Sequence, residues 1–183
     1  MHQRRVEAGL MATKIAAMLD EIASVELSPS ETVTALNRAM LRIMPSDQVM
    51  FATGLCLRFE PDRERVICCD FGHEDPIFSR SGPISMRGGY PVGLVEREEP
   101  WGETILELRE HGSRFLVFSD GITEQFNDDG EMFGVAGLVK AFQRTIDAPV
   151  DEMVRPIIEE LRSFRGSAQV KDDQTLLALH FAL

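Results

Sequence analysis

From Val6 to Ala23 the apolar residues Leu10, Met11, Ile15, Met18, Leu19 and Ile22 recur at spacings of three and four without proline, which predicts an amphipathic helix. Ser28-Pro29-Ser30-Glu31 has the form of a capping box with proline in the first turn. It opens a second helix through Val33, Leu36, Met40 and Ile43, with a stop at Pro45. Beyond Pro45 the period becomes that of strands. Val49–Phe59 and Arg65–Phe71 flank the polar turn Glu60-Pro61-Asp62-Arg63-Glu64 and predict an antiparallel hairpin.

Residues 72–93 are rich in glycine and proline and predict a long irregular segment, interrupted by a short strand around Ile77–Arg80. Glu103–Leu108 alternates as a strand, and the His111-Gly112-Ser113 turn is expected to join it to the next one. That next strand, Phe115-Leu116-Val117-Phe118, is apolar at four consecutive positions, the mark of burial on both faces. Gly134–Thr145 and Pro149–Phe164 follow helical spacing, with Pro156 expected to bend the second helix or mark a later start. Gln174–Ala182 alternates and predicts a last strand, covered on at least one face.

Two helices, about five strands, two helices and a strand form blocks instead of alternating. Blocks favour α+β layers over a doubly wound sheet. No repeat, low-complexity stretch or linker divides the 183 residues, so residues 1–183 are expected to form a single domain.

Composition narrows the function classes. A hydrophobic fraction of 44% is enough for a core, and a formal net charge of -11 repels phosphate backbones and anionic lipid. Nucleic acid and membrane are therefore not expected as partners. No apolar run reaches the length of a membrane span, and the start Met-His-Gln-Arg-Arg leads into an amphipathic stretch, so a cytoplasmic location is expected. Cys56, Cys68 and Cys69 could form a zinc site with His73, but Cys68 and Cys69 are adjacent in a strand and face opposite ways. Core thiols are the better reading.

The candidate chemistry lies at two strand ends. Asp120 emerges from the tip of the Phe115–Phe118 strand, and Gly121 lets the chain turn sharply there. Lys171-Asp172-Asp173 stands at the mouth of the last strand. If the two strands are antiparallel neighbours, Asp120 and Asp172 meet at one sheet end. Two carboxylates with no nearby histidine suit Mg²⁺ or Mn²⁺ better than zinc. The alternatives are a carboxylate pair for glycoside cleavage, or an Asp-Gly turn that only ends a strand. Asn127-Asp128-Asp129-Gly130-Glu131 superficially fits a calcium loop, but the EF-hand register puts Gln125 and Ala136 at the first and last ligand positions, which excludes it. There is no nucleophile elbow and no Walker loop.

Ser119-Asp120-Gly121-Ile122-Thr123-Glu124, then Asn127 to Gly134, and Asp172-Asp173-Gln174-Thr175-Leu176-Leu177 together resemble the PPM-type (protein phosphatase 2C-like) domain of the stage II sporulation protein E class. Gly72-His73 with Pro76, and Tyr90-Pro91-Val92-Gly93-Leu94, resemble further loops of that class, in the same order along the chain. The resemblance implies an αββα sandwich and a hydrolase that removes phosphate from serine or threonine of a partner protein, commonly an anti-sigma-factor antagonist. It implies in-line attack on phosphorus by a water shared between two Mn²⁺ or Mg²⁺ ions, with Asp120 and Asp172 as metal ligands. Gly121 and Asp173 would support them, and Gly72, His73 and Gly93 would line a substrate loop.

The resemblance departs at the N-terminus. Val6-Glu7-Ala8-Gly9-Leu10-Met11 matches the head of the family's first helix, but the strands and metal-binding aspartates that precede it are not in this sequence. The expectation is a domain truncated at its N-terminus with an incomplete ligand set. It would be a fragment, a chain with a wrongly chosen start, or a catalytically impaired protein-binding module. Open strand edges in such a sandwich lead to the expectation of a homodimer.

Overall fold

The computed structural model describes residues 2–23, 26–43, 50–86 and 89–182. Two helices lead the chain, α1 (His2–Ala23) and α2 (Pro29–Ile43). Strands β1 (Leu55–Glu60) and β2 (Arg65–Asp70) follow, then β3 (Ile77–Phe78), β4 (Gly82–Pro83) and β5 (Glu103–Glu107). The last part holds the short helix α3 (Leu108–His111), β6 (Arg114–Phe118), the short helix α4 (Asp120–Thr123), α5 (Gly134–Gln143), α6 (Val150–Arg165) and β7 (Leu176–His180). The expected α+β class with blocked order is observed. The expected stop at Pro45 and the start of the first strand at Val49 lie outside the described residues.

The chain divides into two compact units. The first comprises Met1–Phe59, Val66–His73 and Met86–Ile105. It holds α1, α2 and most of a three-stranded sheet ordered β1-β2-β5. Its core is built from Met11, Val33, Leu36, Met40, Cys69, Val92 and Trp101. The capping box is formed: the Ser28 amide donates to Glu31 Oε2 at 2.8 Å and the Glu31 amide to Ser28 Oγ at 3.3 Å, which satisfies the donors that a helix start leaves open. Gly54, just before the first strand, accepts the Phe71 amide at 3.0 Å and lies against the Phe71 ring. A Cβ on Gly54 would stand 2.4 Å from that ring.

The second unit comprises Glu60–Arg65, Glu74–Ser85 and Leu106–Leu183. Its sheet has the order β4-β3-β6-β7, and β6 pairs antiparallel with β7 from Arg114↔His180 at one end to Phe118↔Leu176 at the other. Leu116 and Phe118 of β6 join Ile122, Leu138, Phe142, Met153, Ile157 and Leu161 in one buried cluster. Leu116 and Phe118 of the apolar run thus enter this core, while Phe115, also buried, stacks on Phe78.

Four expectations are corrected. β5 belongs to the first sheet and β6 to the second, so the segment around His111 is not a hairpin turn; α3 carries the chain out of one sheet before it enters the other. Of the two roles expected for Pro156, a later helix start is not observed: α6 starts at Val150 and runs through Pro156, which is exposed, while Met153, Ile157 and Leu161 form the buried stripe. The last strand begins at Leu176 and not at Gln174, because the Gln174 side chain and the Thr175 amide are hydrogen-bonded to the Ser119–Gln125 segment. It is also only partly covered, with Leu177 exposed by 52%.

Candidate functional site

The antiparallel pairing of β6 with β7 delivers the end of one strand to the start of the other. Phe118 is paired with Leu176, so Ser119 and Asp120 continue beside Asp172–Thr175. Ser119 clasps the two segments. Its Oγ donates to the Asp173 carbonyl at 3.0 Å and accepts from the Thr175 amide at 2.9 Å, while its own amide donates to the Thr175 carbonyl at 3.0 Å.

Asp120 opens α4 and is exposed, and its Oδ1 accepts the Gly121 amide at 2.8 Å. Asp172 is exposed too, and its Oδ1 accepts the Asp173 amide at 2.7 Å. One oxygen of each carboxylate is thus held by the backbone, which fixes the group without neutralising it. Gly121 is buried, and its place admits no side chain: a Cβ there would meet the Asp173 carbonyl oxygen at 2.4 Å. Asp120, Gly121, Asp172 and Asp173 are therefore brought together within the second unit.

Two side-chain amides, Gln125 and Gln174, join these segments. Gln125 is almost fully buried. Its Nε2 donates to the carbonyls of Phe126 at 2.8 Å and Gln169 at 3.2 Å. Gln174 Nε2 donates to Gln125 Oε1 at 3.0 Å and to the Gly121 carbonyl at 3.1 Å. This chain ties α4 to the 169–174 segment. Gln174 stands in the Asp172–Leu177 motif but declares no partner there, and only the fold pairs it with Gln125.

Gly72, His73 and Gly93 belong to the first unit. The amides of Gly72 and His73 both donate to Asp70 Oδ1, at 2.9 and 2.8 Å, and Asp70 is buried. Gly72 and Gly93 have φ of 91° and 89°, which explains glycine at both positions. The Gly93 amide donates to Asn37 Oδ1 at 2.7 Å, and Asn37 Nδ2 donates to the Val95 carbonyl at 3.0 Å. Asn37, buried on α2, is thus a loop clamp that sequence reasoning missed. Burial pushes the Cys68 and Cys69 thiols up to about 12, as fits core thiols.

The donor chemistry fits a hard divalent cation in part. Asp120 and Asp172 offer anionic oxygen, the preferred donor of Mg²⁺ and Mn²⁺. Among the described residues no group of three or more His, Cys, Asp or Glu is arranged to hold a metal ion. The two aspartates therefore account for a fraction of an octahedral shell.

Comparison with solved structures identifies the fold. The SiaA-PP2C domain of Pseudomonas aeruginosa superposes with a TM-score of 0.82 at 17% identity, over 97% of this chain and 71% of that one. The structure of the RsbU and RsbW domains of Rv1364c from Mycobacterium tuberculosis gives 0.77 at 20% identity, over 96% of this chain and 48% of that one. The manganese-presoaked phosphatase domain of SpoIIE from Bacillus subtilis gives 0.55 at 17% identity, over 90% of this chain and 70% of that one. The fold is that of a PP2C-type phosphatase domain. In sequence, the family model for stage II sporulation protein E (SpoIIE) matches residues 5–182. The chain belongs to the SpoIIE family. Comparison with curated proteins found no match.

Proposed function

We propose that this chain is a phosphatase domain that removes phosphate from serine or threonine of a phosphorylated regulatory protein, of the anti-sigma-factor antagonist type, with the help of Mn²⁺ or Mg²⁺. The observation that carries the reading is the Ser119 clasp at the β6–β7 end, with Asp120 and Asp172 on its two sides. The SpoIIE family match and the manganese-presoaked relative support it.

In this reading Asp120 and Asp172 hold the cation, which supplies Lewis acidity and neutralises charge on the phosphoryl oxygens when bound. The backbone amides of Gly121 and Asp173 fix the two carboxylates, and Gly121 keeps the segments in contact. The Gln125–Gln174 hydrogen bond helps to hold that contact. Preorganisation of this kind matters because phosphoryl transfer depends on positioning and electrostatics more than on covalent chemistry by the protein.

The test is calorimetric titration with manganese beside a phosphopeptide dephosphorylation assay. Saturable binding and phosphate release are expected, with binding weakened about tenfold or more and release lost in Asp120→Asn; no manganese binding would overturn the metal reading. A second reading follows from the small donor set at this end: a protein-binding module of the same fold. Phosphopeptide binding that needs no manganese and yields no phosphate would favour it.

A further inference from the structure

We propose that the second unit carries a separate binding pocket for a dianionic phosphate group, at the end of β3, β6 and β7 opposite Asp120. The Arg114↔His180 pair marks that end of the β6–β7 ladder, and Phe118↔Leu176, which leads to Asp120, marks the other. A cavity of about 520 Å³ opens there, within the size range of small-molecule sites, roughly 300–1,000 Å³.

Its walls are fixed by main-chain bonds between the three strands' ends. The Ser79 amide donates to the Arg114 carbonyl at 2.8 Å, the Arg80 amide to the His111 carbonyl at 3.0 Å, and the Phe181 amide to the Ser113 carbonyl at 2.8 Å. Gly112, with φ of 96°, lies so close to Ser79 that a Cβ would stand 2.2 Å from the Ser79 hydroxyl oxygen. Only glycine lets this loop lie against Ser79.

The lining charge is what points to an anion. Among the described residues, Arg80, Arg114 and His180 face the cavity with one carboxylate, Asp147, in a protein whose formal net charge is -11. Among the described residues, the ion pairs of other arginines of this unit join Arg63 and Arg65 to Glu60, Arg109 to Glu64, Arg144 to Glu160 and Arg155 to Glu159. Arg80 and Arg114 are held differently. Arg114 Nη1 donates to the Ile146 carbonyl and, at 2.7 Å, to the Ala148 carbonyl; Arg80 Nη1 donates to the Arg109 carbonyl.

A main-chain carbonyl orients a guanidinium without cancelling its charge. The remaining donors are then presented in a fixed fork, the geometry that matches phosphate oxygens in pairs. Ser79 and Ser113 also line the cavity and can add hydroxyls, and Asp147 can accept from a hydroxyl or amine carried by the same ligand. A phosphate group fits this set better than a neutral ligand, and the volume leaves room for the small molecule or peptide that bears it.

The test is a ¹⁵N–¹H NMR titration at constant ionic strength with inorganic phosphate, phosphoserine and a phosphoserine peptide, on the wild-type chain and on Arg80→Gln. Arg80 is exposed, so the variant should keep its fold, which its own spectrum reports. Saturable shifts of the Ser79, Gly112, Ser113 and His180 amides are expected, about tenfold weaker in Arg80→Gln. Equal affinity for phosphoserine and the peptide would identify a small-molecule ligand, and tighter binding of the peptide a phosphoprotein. Absence of saturation, equal affinity in Arg80→Gln, or shifts confined to Ser119–Thr123 would overturn the proposal.

Discussion

The backbone of Gly121 lies against the carbonyl oxygen of Asp173 so closely that a Cβ would be 2.4 Å away. Gly121 is not among the glycines with positive φ, so its freedom from a side chain serves contact and not backbone conformation. Gly121→Ala should therefore push the two acid-bearing segments apart and cost about 1–3 kcal/mol by overpacking. Urea unfolding measures the loss, and an unchanged midpoint would show that the segments yield freely.

Gln174 is predicted to matter through the amide it leaves behind. Gln174→Ala removes a donor from Gln125 Oε1 and from the Gly121 carbonyl, and Gln125 is 4% exposed. A buried polar atom stripped of its partner costs about 1–3 kcal/mol, so a loss of that size is expected in chemical unfolding. Amide hydrogen exchange at Thr175 should rise in the same variant, because Thr175 and Gln174 belong to one segment held at Ser119 and Gln125.

Asn37 should behave as a clamp of the loop after β4. Its side chain accepts from Gly93 and donates to Val95, and it is 2% exposed. Asn37→Ala is expected to cost about 1–3 kcal/mol and to speed proteolysis of residues 89–101. Limited proteolysis checks the second effect against a wild-type control.

Local signals were legible where a few adjacent residues complete a physical unit. Ser28 and Glu31 are three positions apart and form the box they spell. The apolar run of β6 predicted a covered strand, and the antiparallel pairing of β6 with β7, on which the meeting of Asp120 and Asp172 was conditional, is the one observed. What failed depended on distant partners. Asn37 in a helix looks like a weak helix former, and only a loop 56 positions away gives it a role. The departure of β6 from the sheet of β5 is also a tertiary choice, since a tight hairpin and a change of sheet both begin with a turn.

The thiols of Cys68 and Cys69 give a prediction with a defined pH window. Burial disfavours the thiolate in the folded state and pushes both groups up to about 12, from an ordinary value of 9.0. The folded state therefore keeps protons that the unfolded state loses. This contribution is fully present below pH about 9 and is lost as pH rises toward about 12, at up to about 1.4 kcal/mol per pH unit for each thiol. Unfolding midpoints measured across that window should fall. A thiol reagent at pH 8 should leave both residues unmodified until denaturant is added.

Asp172 and Asp173 are neighbours, yet their substitutions should differ. Asp172 contributes its carboxylate, whose Oδ1 accepts the Asp173 amide. Asp173 contributes its main chain: its amide donates to Asp172, and its carbonyl accepts from Ser119. Asp172→Asn keeps a carbonyl oxygen for the Asp173 amide, so it removes charge with the backbone bond retained, as Asp120→Asn does for Gly121. On the proposed metal reading, each of these two variants should weaken manganese binding about tenfold or more while leaving the unfolding midpoint within about 0.5 kcal/mol of wild type. Asp173→Asn leaves every one of its main-chain bonds in place, and its manganese affinity should stay within about threefold, since a charge that only neighbours the ligands acts through solvent. Calorimetric titration of the three variants separates the roles, and a loss at Asp173 equal to that at Asp172 would assign the cation to both carboxylates.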